Sequence, residues 1–183
     1  MGKRPATYAD LEELPPNMVG EIITGELYAS PRPAVPHTRA ASRLGGVLMG
    51  PFDLGTNGPG GWVILDEPEL HLGSDVLVPD LAGWRGERFP ETTRTAALTL
   101  APDWACEVLS PSTEARDRSI KLPVYAREGI QYVWLVDPDV HTLEVFRLVG
   151  TNYTLLATYA GEALIRAEPF DAIEFKLNTL WGK

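Results

Sequence analysis

The chain has 183 residues, of which 44% are hydrophobic, a size and composition typical of one globular domain with a sizeable core. Its 16 basic and 25 acidic residues give a net charge of −9, which argues against a protein that coats nucleic acid through a broad basic surface. That charge is compatible with carboxylates clustered around divalent cations. No apolar run approaches the roughly 20 residues of a membrane span. Cys106, the lone cysteine, cannot form an internal disulfide. We therefore expect one cytoplasmic domain over residues 1–183, without membrane contact.

The first half of the sequence predicts a short helix, a β-hairpin, a longer helix and three strands. Thr24-Gly25 is a turn signal between two short apolar runs, and the prolines that follow indicate a rigid connection before the second helix. The elements, in order, are a helix at Tyr8–Leu14, hairpin strands at 21–23 and 26–28, a helix at 37–49, and strands at Trp62–Asp66, Glu69–Leu72 and Val76–Trp84.

The second half predicts a strand–helix–strand unit followed by a hairpin, after a stretch at 86–102 that is mostly loop. The apolar strands at Trp104–Leu109 and Tyr132–Val136 are expected to be parallel and joined by a helix over about 113–128, in which Pro123 should cause a kink or a late start. Leu143–Val149 and Tyr153–Tyr159 are the hairpin strands. This order predicts an α/β fold with a mixed β-sheet flanked by helices, an N-terminal β-hairpin and C-terminal strands.

Two carboxylates interrupt apolar strands and are the strongest candidates for a functional site. Asp80 lies within Val76–Trp84, and Glu107 lies within Trp104–Leu109. A buried ionised acid is costly unless a cation or strong donor meets it. If the two strands are neighbours, both acids can hold one divalent ion, and oxygen ligands suit Mg²⁺ or Mn²⁺. The alternative for Asp80 is a strand-end residue that caps a turn.

The helix after Glu107 offers two more charged side chains. Asp117 and Lys121 are four residues apart and so share a helix face. A lysine beside a bound metal can orient water or stabilise charge developing on a phosphate. The alternative is an ordinary surface ion pair between the two residues.

Several segments together resemble a known family. Pro79-Asp80 followed by Glu107-Val108-Leu109 resembles the PD-(D/E)XK nuclease superfamily. The block CEVLSPSTEARDRSIKLPVYAREGIQYVWLVDP (106–138) is similar to the Uma-type family of restriction endonucleases, as are EIITGELYASP (21–31), His37 and VPDLAGW (78–84). The motif core spans about 19–138, which implies a restriction-endonuclease-like fold.

The resemblance implies Mg²⁺-dependent hydrolysis of phosphodiester bonds, most simply in DNA, with Asp80 and Glu107 as metal ligands and the Val108 carbonyl as a further ligand. Leu109 stands where the superfamily has its lysine, and Lys121 takes that role in the Uma-type pattern. Glu21 and His37 match further positions of the family. Their alternatives are an exposed strand glutamate and a local hydrogen-bond partner.

The rival function is a catalytically inactive nuclease-fold module used for binding or assembly. Lys121 is expected to discriminate between the two, because a scaffold does not need an ammonium that faces two buried acids. An enzyme that breaks both strands of DNA also suggests a homodimer. The apolar residues near the C-terminus are candidates for its interface: Phe170, Ile173, Phe175, Leu177, Leu180 and Trp181.

Overall fold

The computed structural model describes residues 4–90 and 96–182, which form two main β-sheets with a few short helices. The strands are β1 (Met18–Ile23), β2 (Glu26–Pro31), β3 (Trp62–Asp66), β4 (Glu69–Leu72), β5 (Asp75–Leu77), β6 (Leu81–Arg85), β7 (Ala97–Leu98), β8 (Trp104–Val108), β9 (Tyr132–Asp137), β10 (Thr142–Val149), β11 (Asn152–Ala160), β12 (Leu164–Ile165) and β13 (Phe175–Lys176). The helices are α1 (Tyr8–Glu12), α2 (Val35–Leu48), α3 (Glu114–Arg116) and α4 (Leu122–Arg127). None of the helices in these described ranges is both long and apolar enough to cross a bilayer.

The five-stranded sheet has the order β2-β1-β5-β4-β7 and contains the predicted N-terminal hairpin. β1 and β2 are antiparallel, and both turn residues have positive φ, 52° at Thr24 and 81° at Gly25. Glycine adopts that conformation without steric cost, which is why the Thr-Gly pair closes a tight hairpin here. β7 lies within the segment predicted to be mostly loop, and it pairs in parallel with β4.

The six-stranded sheet has the order β11-β10-β9-β8-β6-β3 and contains the predicted strand–helix–strand unit. β8 and β9 pair in parallel, and the connection between them includes the predicted helix. The other neighbours in this sheet are antiparallel, so the sheet is mixed as predicted. Because parallel β8 and β9 are apolar and buried, side chains must cover both of their faces.

One strand prediction is wrong in a way that matters for the site. The run predicted as a single strand, Val76–Trp84, is two strands in different sheets: β5 ends at Leu77, and β6 begins at Leu81. The chain crosses between the sheets through Val78-Pro79-Asp80. Proline has no N–H for a sheet ladder, which is a physical reason for a break at this point. Asp80 therefore lies in the crossing and not inside a strand.

The crossover helix is continuous from α3 to α4 but contains a π-helical turn at Asp117–Lys121. Pro123 lies just after this π-helical turn and within the continuous helix, so the helix does not start late at the proline. π-helical turns of this kind are frequent at functional sites. α2 likewise continues into a π-helical turn, at Met49–Asp53.

The aromatic core lies on one face of the six-stranded sheet, around Phe170. The ring of Phe170 lies 4.8–5.6 Å from the rings of Phe52, Trp62, Trp104 and Trp134. The C-terminal residues proposed for a dimer interface pack into this same core: Phe170, Leu177 and Leu180 are buried, and Ile173, Phe175 and Trp181 are partly buried against it. The three buried side chains are therefore not free to form an interface, and the other three expose only part of their surface.

Candidate active site

The predicted site residues line one cavity of about 360 Å³. Its walls come from both sheets, from the crossing between β5 and β6, and from the helices α2 and α3 with the π-turn that follows α3. The predicted residues on these walls are Glu21, His37, Asp80, Glu107, Val108, Asp117 and Lys121. Residues separated by up to 100 positions in sequence thus meet at one place.

Asp80 faces Glu107 across the β6–β8 pair. Leu81 pairs with Cys106 in the antiparallel ladder, so the preceding Asp80 lies opposite the following Glu107. The Val108 N–H donates to Asp80 Oδ2 at 2.7 Å, and His37 Nε2 lies 3.3 Å from Asp80 Oδ1. The Asp80 carboxylate thus accepts an N–H from the neighbouring strand β8 while it lines the cavity, and the Val108 contact is not the turn cap raised as the alternative.

Burial and the Asp80 carboxylate have opposite effects on the His37 imidazole. Burial lowers the pKa of His37, but the hydrogen bond and charge of Asp80, together with a backbone hydrogen bond at Val108, raise it above its ordinary value. His37 thus contacts two of the residues predicted to bind metal. Its other ring nitrogen, Nδ1, is buried without a hydrogen-bond partner in the described structure.

Glu107 is a buried carboxylate, with 3% of its surface exposed. Burial raises the pKa of Glu107 well above its usual range, Lys121 opposes that shift, and the nearby Asp117, Asp80 and Glu21 reinforce it. The Tyr125 hydroxyl donates to Glu107 Oε1, and the same oxygen lies 2.7 Å from Lys121 Nζ. Because several acids lie close to Glu107, a positive charge nearby stabilises their ionised forms.

Lys121 is fully enclosed and bridges two acids. Its Nζ lies 2.9 Å from Glu21 Oε1 and 2.7 Å from Glu107 Oε1, and 2% of the residue is exposed. Burial lowers the pKa of Lys121, but the negative charges of Glu107, Glu21 and Asp117 outweigh burial and raise the pKa above its ordinary value. Lys121 is therefore an ammonium at neutral pH.

Two of the alternatives raised by the sequence are wrong. Asp117 and Lys121 are both buried, so they are not a surface ion pair. Burial also raises the pKa of Asp117 above its usual value, although Lys121 and a hydrogen bond from the Thr113 side chain oppose the shift. Glu21 is 3% exposed and is not a solvated strand glutamate. The Glu21 carboxylate accepts a hydrogen bond from the Val78 N–H at 2.9 Å. Glu21 therefore stabilises the chain crossing between the sheets, in addition to its ion pair with Lys121.

Two further residues belong to the site and were not predicted from the sequence, Arg116 and Tyr125. Arg116 lines the cavity, with Nη2 3.4 Å from Glu21 Oε2, and Nη1 donates to Ser30 Oγ at 3.2 Å. Its Nε is buried without a hydrogen-bond partner in the described structure. Tyr125 could have been found, because it follows Lys121 by four positions and shares its helix face. Arg116 gives no such signal, since its partners come from the distant N-terminal hairpin.

Within residues 4–90 and 96–182, no three His, Cys, Asp or Glu side chains are grouped so as to hold a metal ion by themselves. The oxygen ligands predicted from the sequence are the carboxylates of Asp80 and Glu107 and the Val108 carbonyl, and all three residues line the cavity. Carboxylates, carbonyls and water are the ligands that Mg²⁺ and Mn²⁺ prefer, and Mg²⁺ usually keeps several waters beside one or two carboxylates. This donor set therefore fits such an ion, and the acids around Glu107 favour a cation.

The mixed sheet, its parallel β8–β9 pair with a helical connection, and an acid pair beside a lysine define a restriction-endonuclease-like fold. A family model described as "Putative restriction endonuclease" (Uma2) matches residues 5–179, and the chain belongs to this family. The fold is similar to the crystal structure of a "putative nuclease belonging to DUF820" from Anabaena variabilis. That match has a TM-score of 0.77 at 22% identity and covers 97% of this chain and 98% of the other. No curated protein matches the sequence.

Proposed function

We propose that the protein is a metal-dependent endonuclease that hydrolyses phosphodiester bonds in DNA. The observation that carries this proposal is that Asp80, Glu107 and Lys121 all line a single cavity, although they come from the crossing between the sheets, from β8 and from the helical connection. Family membership and the similarity to a nuclease structure support a nuclease-like function independently. An acid pair with an adjacent ammonium matches the requirements of phosphodiester hydrolysis, in which both the attacking water and the phosphate need positive charge nearby.

Asp80 and Glu107 would hold Mg²⁺ or Mn²⁺, with the Val108 carbonyl as a further ligand. When bound, the ion would supply Lewis-acid activation and neutralise negative charge on the phosphate. The protein would contribute the position of the two carboxylates: a backbone N–H holds that of Asp80, and the Tyr125 hydroxyl and the Lys121 ammonium hold that of Glu107. Fixed ligands need little reorganisation when substrate arrives.

Lys121 would act as a preorganised positive charge beside the phosphate. Since Glu21 and Glu107 hold its Nζ from two sides and the Val78 carbonyl accepts from it at 3.5 Å, the ammonium is fixed at the wall of the cavity. An ammonium donates hydrogen bonds and stabilises negative charge that develops on phosphate oxygens during attack by water. Glu21 is then a positioning residue that acts through Lys121.

The substrate and assembly follow from the same reasoning. We infer DNA as the substrate and a homodimer as the assembly, because cleavage of both strands of a duplex is simplest with two sites related by two-fold symmetry. The buried free thiol of Cys106, whose pKa burial raises well above its usual value, is consistent with a reducing compartment such as the cytoplasm.

A cleavage assay with single-stranded DNA, duplex DNA and RNA, each with Mg²⁺ or Mn²⁺, tests the proposal. We expect wild-type protein and Asp139→Asn to cleave DNA and Asp80→Asn to be inactive, since Asp139 is an exposed residue outside the cavity. Mg²⁺ should also raise the melting temperature of the wild type and of Asp139→Asn but not of Asp80→Asn, as mass action requires of a specific site. Absence of cleavage on every substrate, with no thermal effect of either ion, would favour the inactive binding module.

A further inference from the structure

A second cavity, of about 570 Å³, adjoins the first and runs along α2. The two cavities have five lining residues in common: Arg32, Pro33, His37, Glu67 and Asp80. Because Asp80 is a proposed metal ligand, the second cavity opens directly onto the place where a scissile phosphate would be bound. A nucleic acid strand that is cleaved there must extend away from the scissile phosphate in both directions. The second cavity is adjacent and can hold the neighbouring nucleotide.

Arg32 is the arginine that lines both of these cavities. Its side chain is 63% exposed, and its guanidinium Nη1 lies 3.9 Å from Glu67 Oε2. Pro31 and Pro33 flank Arg32 and fix the backbone on both sides, so the side chain projects from a rigid segment. An exposed ion pair at this separation contributes little free energy, and so a phosphate can replace Glu67 as the partner of Arg32.

Glu67 is held in place independently of that ion pair. Its φ of 44° is in the left-handed region that non-glycine residues rarely adopt, and its N–H donates to the Asp80 carbonyl at 3.0 Å. Strained backbone of this kind is typical of functional sites. The backbone of Glu67 is thus fixed beside Arg32, and its carboxylate, on a side chain that is 47% exposed, competes with an incoming phosphate for Arg32.

The remaining walls of the second cavity suit a sugar and base better than a phosphate. Besides Glu67 and Asp80, its lining includes the exposed carboxylate of Asp66, which would repel a phosphate, whereas Ala41, Met49 and Leu81 offer apolar contact. Gly46 also lines the cavity, and a Cβ built at Gly46 would meet nothing within 4 Å. Steric packing therefore does not explain the glycine at this position, and glycine weakens a helix.

We propose that Arg32 binds the backbone phosphate next to the scissile phosphate, so that the nucleotide attached to it lies in the cavity along α2. This inference rests on the proposed nuclease function, but it concerns binding and can be measured without cleavage. In the free protein the Glu67 carboxylate is the partner of the Arg32 guanidinium. When substrate binds, a phosphate replaces that carboxylate.

Fluorescence anisotropy with a fluorescein-labelled DNA oligonucleotide, single-stranded or duplex, measures the binding with Ca²⁺ in place of Mg²⁺. Arg32→Gln should weaken binding about tenfold, and the slope of log Kd against log salt should fall by about one, as expected when one phosphate contact is lost. Arg32→Lys should recover part of the affinity. Arg147→Gln is the matched control, because it removes the same charge from another exposed ion pair, with Glu168 at 3.2 Å, outside both cavities.

Glu67→Gln tests the exchange of partners. It should tighten binding about threefold because the competitor for Arg32 loses its charge. In the Arg32→Gln background the same change should have a much smaller effect, because the competition acts through Arg32. Equal effects of Glu67→Gln in both backgrounds would show that Glu67 merely repels DNA and would overturn the exchange.

Gly46→Leu tests where the nucleotide lies. The leucine side chain would occupy the cavity, so DNA binding should weaken while the melting temperature stays at or above that of the wild type, since leucine favours a helix. Gly46→Ala leaves most of the cavity open and should bind as the wild type does. Normal DNA binding by a stable Gly46→Leu variant would exclude the nucleotide from this cavity.

The two proposals fail in different ways. If the wild type binds neither oligonucleotide, the nuclease proposal and the role of Arg32 are both wrong. If the wild type binds DNA and Arg32→Gln binds like Arg147→Gln, the role of Arg32 is wrong and the nuclease proposal stands. If the wild type binds DNA in an Arg32-dependent manner but cleaves nothing, the phosphate contact is supported and the catalytic proposal is overturned.

Discussion

Replacing Lys121 with methionine should lower the free energy of unfolding by about 3–5 kcal/mol at neutral pH, the cost typical of removing one partner from a buried ion pair. Methionine keeps most of the volume of the side chain, so the change isolates the charge. The ammonium has contacts of 2.9 Å with Glu21 and 2.7 Å with Glu107, and its removal leaves both carboxylates buried without it. The burial of Lys121, with 2% of the residue exposed, makes a large loss of stability the expected result.

Burial, and not contact distance, sets this magnitude, and Arg118 provides the control. Arg118 lies in the same π-helical turn and has ion-pair contacts of 2.9 Å with Glu114 and 2.6 Å with Glu144, similar to those of Lys121. Its side chain is 36% exposed, so Arg118→Met should cost less than about 1 kcal/mol. Urea unfolding followed by tryptophan fluorescence measures both variants.

The stability cost of Lys121→Met should also depend on pH. Burial raises the pKa of Glu107, Lys121 opposes that shift, and without Lys121 the pKa rises further. A carboxyl with a higher pKa in the folded state than in the unfolded state takes up a proton on folding, so lowering the pH favours the folded state. The difference from the wild type should therefore narrow from neutral pH toward the ordinary value of 4.5. A cost below about 1 kcal/mol, or one that does not change with pH, would refute this account of the buried charges.

Two further predictions concern the same site and the assembly. Tyr125→Phe removes the hydroxyl that donates to Glu107. The variant should lose about 1 kcal/mol of unfolding free energy in urea, and it should cleave DNA more slowly without losing activity. A stability equal to that of the wild type would show that this hydrogen bond contributes nothing. Light scattering should give the mass of a dimer, and Phe170→Leu, a change within the chain's own core, should lower stability without changing that mass; a monomer at high concentration would exclude the homodimer.

Local patterns in the sequence predicted most elements of the fold, because local interactions determine them. β3 and β4 have the predicted bounds, and the hairpin closes at the predicted Thr24-Gly25 turn. The division into two sheets was missed because the apolar residues on both sides of Pro79-Asp80 together predict one strand. Only Pro79 indicates the break, through its missing N–H.

A residue of the candidate site could be predicted from the sequence where its charge is unexpected among apolar neighbours. Glu107 could be identified because a charge inside an apolar strand needs a reason, and that reasoning does not depend on any other part of the chain. Glu21 lies in an ordinary-looking hairpin, and its burial depends on a helix that begins more than 90 positions later. The role of Arg116 depends on the same long-range packing, and nothing in its neighbouring residues indicates it.

The lysine bridge also joins the two halves of the molecule. Glu21 belongs to the five-stranded sheet and Glu107 to the six-stranded sheet, so a single ammonium joins a carboxylate from each. We had expected Lys121 to distinguish an enzyme from an inactive scaffold, but a scaffold with this fold would need Lys121 as well, because separating the sheets leaves two buried acids unpaired. A lineage that lost activity would therefore keep Lys121 and Glu21 for folding. In such a lineage, substitutions would first appear at positions such as Arg32, whose side chain is exposed and is not required for folding.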